Sequence, residues 1–226
     1  MKTKNKSLIF DDLQAVVLRD PATASKFQAA VFSSGFHAIC LHRLNHWLWN
    51  KGFKFVAKLS ALIARFFTGI EIHPNAKIGK GFFIDHGMGV VIGETAEIGD
   101  NVTLYHDVTL GGTTVFGKNG KVMSKRHPTI GNNVIIGSGA QVLGPINIGD
   151  NVKIGSNAVV VKDVAANLTV VGVPAHSTES KTNKKKTFCA YGMDKNLSDP
   201  VDEDIKKLQI QLKHLQEELE HLKNKL

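Results

Sequence analysis

From Ile72 onward an aliphatic residue returns every six positions: Ile72, Ile78 and Ile84, then, after a two-residue slip, Ile92, Ile98, Leu104 and Leu110. After a longer interruption the period resumes as Ile130, Ile136, Val142, Ile148, Ile154 and Val160, thirteen hexapeptides in all. Four places after most of these stands a second small or apolar residue: Ala76, Ala96, Val102, Val108, Val134, Ala140, Val152 and Ala158. An amphipathic helix would repeat every 3.6 residues, and a meander would alternate without a fixed hexad. A period of six with Gly and Asn/Asp at the corners predicts short parallel strands wound into a β-helix, each coil burying its apolar positions against the next. Glycine and asparagine supply the positive φ values that tight corners need.

The flanking segments have other periods. Residues 11–67 read as helical: Gly35-Phe36-His37-Ala38 leads into Leu41, Leu44, Trp47 and Leu48, spaced as one apolar face. Gly52 breaks the pattern, and Phe53, Val56, Leu59, Ile63 and Phe66 or Phe67 predict a second helix packed on the first coil. Near the C-terminus Ile205, Leu208, Leu212, Leu215, Leu219, Leu222 and Leu226 alternate spacings of three and four, a heptad seam that predicts a coiled coil. The expected organisation is a helical segment over 1–70, the β-helix over 71–176, a linker over 177–201 and the coiled-coil helix over 202–226. Residues 111–129 form an excursion between hexads, a length that in a compact repeat marks function or disorder. Arg126-His127-Pro128, where it rejoins the prism, points to function.

Composition narrows the class. The 226 residues are 42% hydrophobic and 21% charged, as expected of a folded chain. No apolar stretch reaches the ~20 residues of a membrane span, and no secretory signal follows the N-terminal lysines; the cytoplasm is the expected compartment. Cys40 and Cys189, without CxxC spacing, read as reduced thiols. The net charge of +8 and the lysines at 181, 184, 185 and 186 suggest nucleic acid. A solvated linker explains those lysines, which have no interleaved aromatics, and a basic enzyme with a polyanionic co-substrate explains the charge.

Four histidines lie in the repeat region: His73, His86, His106 and His127. His86 stands out because Asp85 takes the usual glycine place of its hexad and the period slips at Gly87-Met88-Gly89. Departures from a repeat are expected at functional sites. Glu71, fifteen residues earlier, lies close to one coil away. A carboxylate bonded to one imidazole nitrogen leaves the other free to take a proton, so the pair reads as a dyad or as a surface ion pair.

The motifs Arg19-Asp20-Pro21-Ala22, Gly35-Phe36-His37-Ala38, His46-Trp47-Leu48-Trp49-Asn50, Ile72-His73-Pro74, Asp85-His86-Gly87, Gly93-Glu94-Thr95-Ala96, Val108-Thr109-Leu110-Gly111-Gly112-Thr113, Arg126-His127-Pro128 and Gly172-Val173-Pro174-Ala175 resemble those of the serine O-acetyltransferase family, in order. The resemblance implies a left-handed parallel β-helix, a triangular prism with three hexads per coil. It also implies acetyl transfer from acetyl-CoA to L-serine in cysteine biosynthesis, without a metal or a covalent acyl-enzyme. By resemblance His86 is the general base and Glu71 its acidic partner, an aspartate in many members. Asp20, Asp85, Arg126 and His127 match positions that hold serine, where a guanidinium suits a carboxylate and carboxylates suit an ammonium. Gly112, Ser138 and Ser156 match positions that contact acetyl-CoA in a groove between subunits. A homo-oligomer is implied, a trimer or a dimer of trimers. Many members pair trimers through a longer helical domain than the roughly 70 residues before the first hexad here. Members also often end in an isoleucine that enters O-acetylserine sulfhydrylase, whereas this sequence ends in a charged heptad pattern at Leu226. Three other readings remain: a hexapeptide acetyltransferase for a sugar or xenobiotic hydroxyl, a zinc lyase of the carbonic anhydrase type needing three converging histidines, and a non-catalytic scaffold.

Overall fold

The computed structural model describes residues 8–113 and 124–178, together with Gln209, Gln211, Leu212, Lys213 and Glu217. Four helices come first: α1 (Leu8–Arg19), α2 (Lys26–Phe32), α3 (Ser34–Asn50) and α4 (Lys54–Thr68). The strands follow as β1 (Glu71–Ile72), β2 (Lys77–Ile78), β3 (Phe83–Ile84), β4 (Val91–Ile92), β5 (Glu97–Ile98), β6 (Thr103–Leu104), β7 (Thr109–Gly111), β8 (Thr129–Ile130), β9 (Ile135–Ile136), β10 (Gln141–Leu143), β11 (Asn147–Ile148), β12 (Lys153–Ile154), β13 (Val159–Val160), β14 (Thr169–Val171) and β15 (His176–Thr178).

These strands form the three faces of a left-handed β-helix. The first face runs β1-β4-β7-β10-β13, the second β2-β5-β8-β11 and the third β3-β6-β9-β12-β14, with β15 added to the third. The register stacks like hexad positions: Ile72 on Ile92 on Leu110 on Val142 on Val160 along the first face. Ile84 on Leu104 on Ile136 on Ile154 does the same along the third. The period therefore delivers the core directly, since all of these are buried, as are Ala76, Ala96, Val102, Val108, Val134, Ala140, Val152 and Ala158. β15 turns back antiparallel on β14, pairing His176 with Val171 and Thr178 with Thr169.

The helices depart from the expected faces. In α3 the buried stripe is Gly35, Phe36, Ala38, Ile39, His42 and Asn45, while Leu44 and Trp47 are exposed. The cause is close approach: a Cβ on Gly35 would stand 2.2 Å from the Ile84 carbonyl oxygen, so only a small-residue face can lie against the prism there. Likewise α4 buries Ala57, Ala64 and Thr68, and leaves Phe53, Val56, Leu59, Ile63, Phe66 and Phe67 at the surface of the single chain. A polar–apolar stripe docks α1. Asp12 accepts from the Phe82 N–H at 3.0 Å and pairs with Arg43, which also donates to the Ile78 and Gly79 carbonyls. Ala15 and Val16 are buried. Arg19 donates to Gly81 O, Asn101 Oδ1 and Thr103 Oγ1.

The five described residues between 209 and 217 are helical. Apart from Leu212, which is exposed, the predicted seam from Ile205 to Leu226 lies outside the described residues, as does most of the linker. No helix among the described residues is long and apolar enough to cross a membrane.

Candidate active site

The prism has three edges, and the candidate residues fall on two of them. The edge between the third and first faces carries Asp85, His86, His106, Ser138 and Ser156, each in the turn that follows a third-face strand. The edge between the first and second faces carries His73, Glu94, Thr95, Gly112, Arg126 and His127.

At the first of these edges the two-residue slip makes a wider corner. His86, Gly87 and Gly89 all take positive φ, 61°, 80° and 79°. A histidine at φ 61° is held against its intrinsic preference, and the Ser34 hydroxyl donates to its carbonyl at 3.1 Å. The imidazole is consequently thrust outward, with its side chain 77% exposed. The His106 ring meets it edge-to-face at 6.1 Å, and the nearest carboxylate is that of Asp85, 3.9 Å from Nε2. Burial raises the Asp85 carboxyl above its ordinary range, and the charge of Asp20 adds to this against the opposing pull of His86. Asp20 follows α1 directly, its carboxylate held by the Ala22 N–H and the Thr23 hydroxyl. Two neighbouring carboxylates, one resisting ionisation, make a place where a bound cation would be stabilised. Further along the same edge Ser138 and Ser156 sit one coil apart, hydroxyl to hydroxyl at 3.1 Å.

Glu71 begins β1, and its carboxylate is bonded to Arg65 in the last turn of α4 at 2.8 Å. The expected Glu71–His86 hydrogen bond is thus not made within the chain, because α4 brings a cation that the hexad spacing does not reveal.

At the other edge, Arg126 pairs with Glu94 at 3.2 Å and is exposed. His127 is buried, 6% exposed, in a slot left by Gly93. Its Nδ1 accepts from the Thr95 backbone N–H at 3.2 Å, and Nε2 faces Gly112. Burial, then the Arg126 guanidinium, lower its pKa below the usual histidine value. His73 is lowered as well, chiefly by burial. Among the described residues no three His, Cys, Asp or Glu side chains gather as a metal-ligand set.

Sequence reasoning names Gly93-Glu94-Thr95-Ala96 as a motif but gives Glu94, Thr95 and the slot at Gly93 no role. The repeat held no signal for Thr95: the third place after the hexad aliphatic takes positive φ at the other two edges, at Gly81, Gly87, Asn101, Asp107, Asn133, Gly139, Asn151 and Asn157, whereas at the edge of Thr95 the equivalent Asn75, Pro145 and Asp163 do not.

Comparison with known proteins agrees with this geometry. Residues 127–162 match the family model "Bacterial transferase hexapeptide (six repeats)", and residues 2–40 match "Serine acetyltransferase, N-terminal". A serine acetyltransferase of Helicobacter pylori (strain J99) is 55% identical over 163 residues, 72% of this chain and 92% of that protein. The serine acetyltransferase of Neisseria gonorrhoeae solved in complex with serine superposes with a TM-score of 0.71 at 42% identity, over 76% of this chain and 68% of that one. The serine acetyltransferase of Brucella abortus strain S19 solved in complex with coenzyme A gives a TM-score of 0.71 at 44% identity, over 75% and 66% of the two chains. With the prism, the His86 corner and the identity running together, the chain belongs to the serine acetyltransferase family.

Proposed function

We propose that this enzyme transfers the acetyl group of acetyl-CoA to the hydroxyl of L-serine, giving O-acetylserine and CoA, the first step of cysteine biosynthesis, with His86 as general base. The observation that carries the reading is the grouping of an outward-held imidazole with Asp85 and Asp20. The carboxylates suit the substrate ammonium, and the imidazole takes the hydroxyl proton as the oxygen attacks the thioester carbonyl. Collapse of the tetrahedral intermediate expels the CoA thiolate, which recovers that proton from the imidazolium. Acetyl-CoA is a co-substrate, consumed in each turnover. Ser138 and Ser156 continue the His86 edge, which supports their contact with the acyl donor, and Gly112 belongs to the opposite edge.

Arg126 and His127, assigned to the serine carboxylate, stand on a different edge from His86, with the first face between them. We assign their meeting to a second copy, the His86 edge of one subunit facing the Arg126 edge of its neighbour. A trimer of prisms closes such a ring, and the uncovered apolar side of α4 supports further burial between copies, in a trimer or a dimer of trimers. Glu71, at the start of β1 beside the His86 corner, is the acidic group that would approach His86 on release from Arg65. The reading places the enzyme in the cytoplasm with its acetyl donor.

Free-thiol release from acetyl-CoA, measured with L-serine, D-serine, homoserine and a galactoside as acceptors, tests the reading. L-Serine should be strongly preferred. Preference for the galactoside would move the enzyme to the sugar-modifying branch, and no acceptor-dependent thiol would remove the activity.

A further inference from the structure

The geometry points to Thr95 as a positioning residue that fixes the proton of His127 on Nε2 and holds Arg126 and His127 in place. Thr95 uses every hydrogen-bonding group it has on the chain that rejoins the prism. Its Oγ1 accepts from the Arg126 N–H and the His127 N–H, both at 3.1 Å, and lies 2.8 Å from His127 Nδ1. Its backbone N–H donates to the same Nδ1, and its carbonyl accepts from Lys125 Nζ at 2.7 Å.

A threonine hydroxyl has one proton and two lone pairs. The lone pairs are taken by the two backbone N–H groups, so the proton goes to Nδ1. The Thr95 N–H adds a longer contact of 3.2 Å to the same nitrogen, secondary to the hydroxyl at 2.8 Å. A neutral imidazole with Nδ1 as acceptor carries its hydrogen on Nε2. Nε2–H lies between Gly93 and Gly112, where added Cβ atoms would stand 2.0 and 2.9 Å from the nitrogen, so the two glycines leave the room around it. Protonating Nδ1 would set an N–H against two donors, so the same contacts oppose the imidazolium. His127 is therefore held as a fixed, uncharged N–H donor in the slot between Gly93 and Gly112, with the Arg126 backbone tied to the same hydroxyl. This rests on the proposed serine site for its consequence in turnover, but the proton location does not.

The test compares Thr95→Val, which keeps the shape and loses the hydroxyl, with Thr95→Ser, which keeps the hydroxyl, in the full chain. With 15N-labelled histidine and His127 assigned by its loss in His127→Gln, the wild type should show a single Nε2–H form near neutral pH. Thr95→Val should show mixed forms or a signal that titrates at higher pH, and Thr95→Ser should restore the wild-type signal. In kinetics Thr95→Val should raise the serine KM by about tenfold or more, the scale of one lost buried hydrogen bond, while the acetyl-CoA KM stays within about twofold. Thr95→Ser should recover most of the loss. An Nδ1–H form in the wild type, or a Thr95→Val signal and serine KM like the wild type's, overturns the inference. Equal rises in both KM values with a lowered melting temperature also overturn it, leaving Thr95 a merely structural residue. If the wild type itself fails to acetylate serine, the proposed function fails while the nitrogen signals still decide the proton's place.

Discussion

Replacing Gly93 by alanine probes the His127 slot with a single methyl group. An ideal Cβ at this position would lie 2.0 Å from both Cδ2 and Nε2 of His127, against an ordinary contact of 3.4 Å or more. At least 3.4 − 2.0 = 1.4 Å of clearance must be found. The ring cannot slide freely, because its Nδ1 is held from Thr95 on one side and the Gly93 backbone is fixed by the Leu110 carbonyl on the other. Overpacking of this kind costs about 1–3 kcal/mol, a melting-temperature loss of roughly 2–12 °C for a chain of this size. The effect on turnover should be larger than that suggests, since misplacing a substrate-holding group by about 1 Å costs on the order of 10²-fold. Gly112→Ala supplies the graded control: its Cβ would meet Nε2 at 2.9 Å and the Arg126 carbonyl at 3.3 Å, so a small adjustment suffices. Initial rates with serine and acetyl-CoA varied separately, beside thermal unfolding, should give a kcat/KM for serine down about a hundredfold in Gly93→Ala and about tenfold or less in Gly112→Ala. A Gly93→Ala enzyme within about threefold of the wild type would mean that His127 does not need this position, and would refute its assignment to the serine site.

His86→Ala should lower turnover by roughly 10²- to 10⁴-fold with folding and acetyl-CoA binding intact; near-normal turnover would remove His86 from the mechanism. Arg126→Lys keeps the charge but loses the fork, so the serine KM should rise far more than the acetyl-CoA KM, and equal changes would point to disruption of the returning chain. Asp12→Ala strands the mostly buried Arg43 guanidinium, a loss of about 3–5 kcal/mol that should read as a melting temperature about 6–20 °C lower; an unchanged value would deny the Asp12–Arg43 anchor. His42 is held uncharged by burial, its pKa pushed down to about 3. Its contribution is present above the unfolded histidine value near 6.5 and is lost as pH falls from there toward 3, so His42→Gln should flatten stability against pH in that window.

The prism was legible because a β-helix writes its core into the sequence at a fixed interval: each hexad aliphatic occupies the register its spacing assigns. The helices were less so. Helical periodicity finds an apolar face but cannot say that a neighbouring backbone will come as near as Ile84 does to Gly35, or that Ala38, Ala57 and Ala64 will be buried while Leu44, Trp47 and most large side chains of α4 turn outward. The same limit hid the Glu71–Arg65 pair. One coil of spacing placed Glu71 near the His86 corner, but its partner depends on where α4 ends, and that end is set by Gly69 in a left-handed cap.

The site residues that were legible are those that break the repeat. On a β-helix the inward positions are committed to packing, so chemistry can enter only at the corners, and a corner normally asks for glycine, asparagine or aspartate at positive φ. His86 meets that backbone demand with a residue that seldom accepts it. At the next edge, where the same place takes no positive φ, Thr95 gives its hydroxyl to the chain returning at Arg126 and His127. His86 and Thr95 stand on either side of β4, in the turns before and after it. Within a single chain one face of the prism, the one that holds β4, thus lies between His86 and the pair Arg126 and His127. On the proposed assignment of these residues to one serine site, that separation is what calls for the edge of another subunit rather than a refolding of this one.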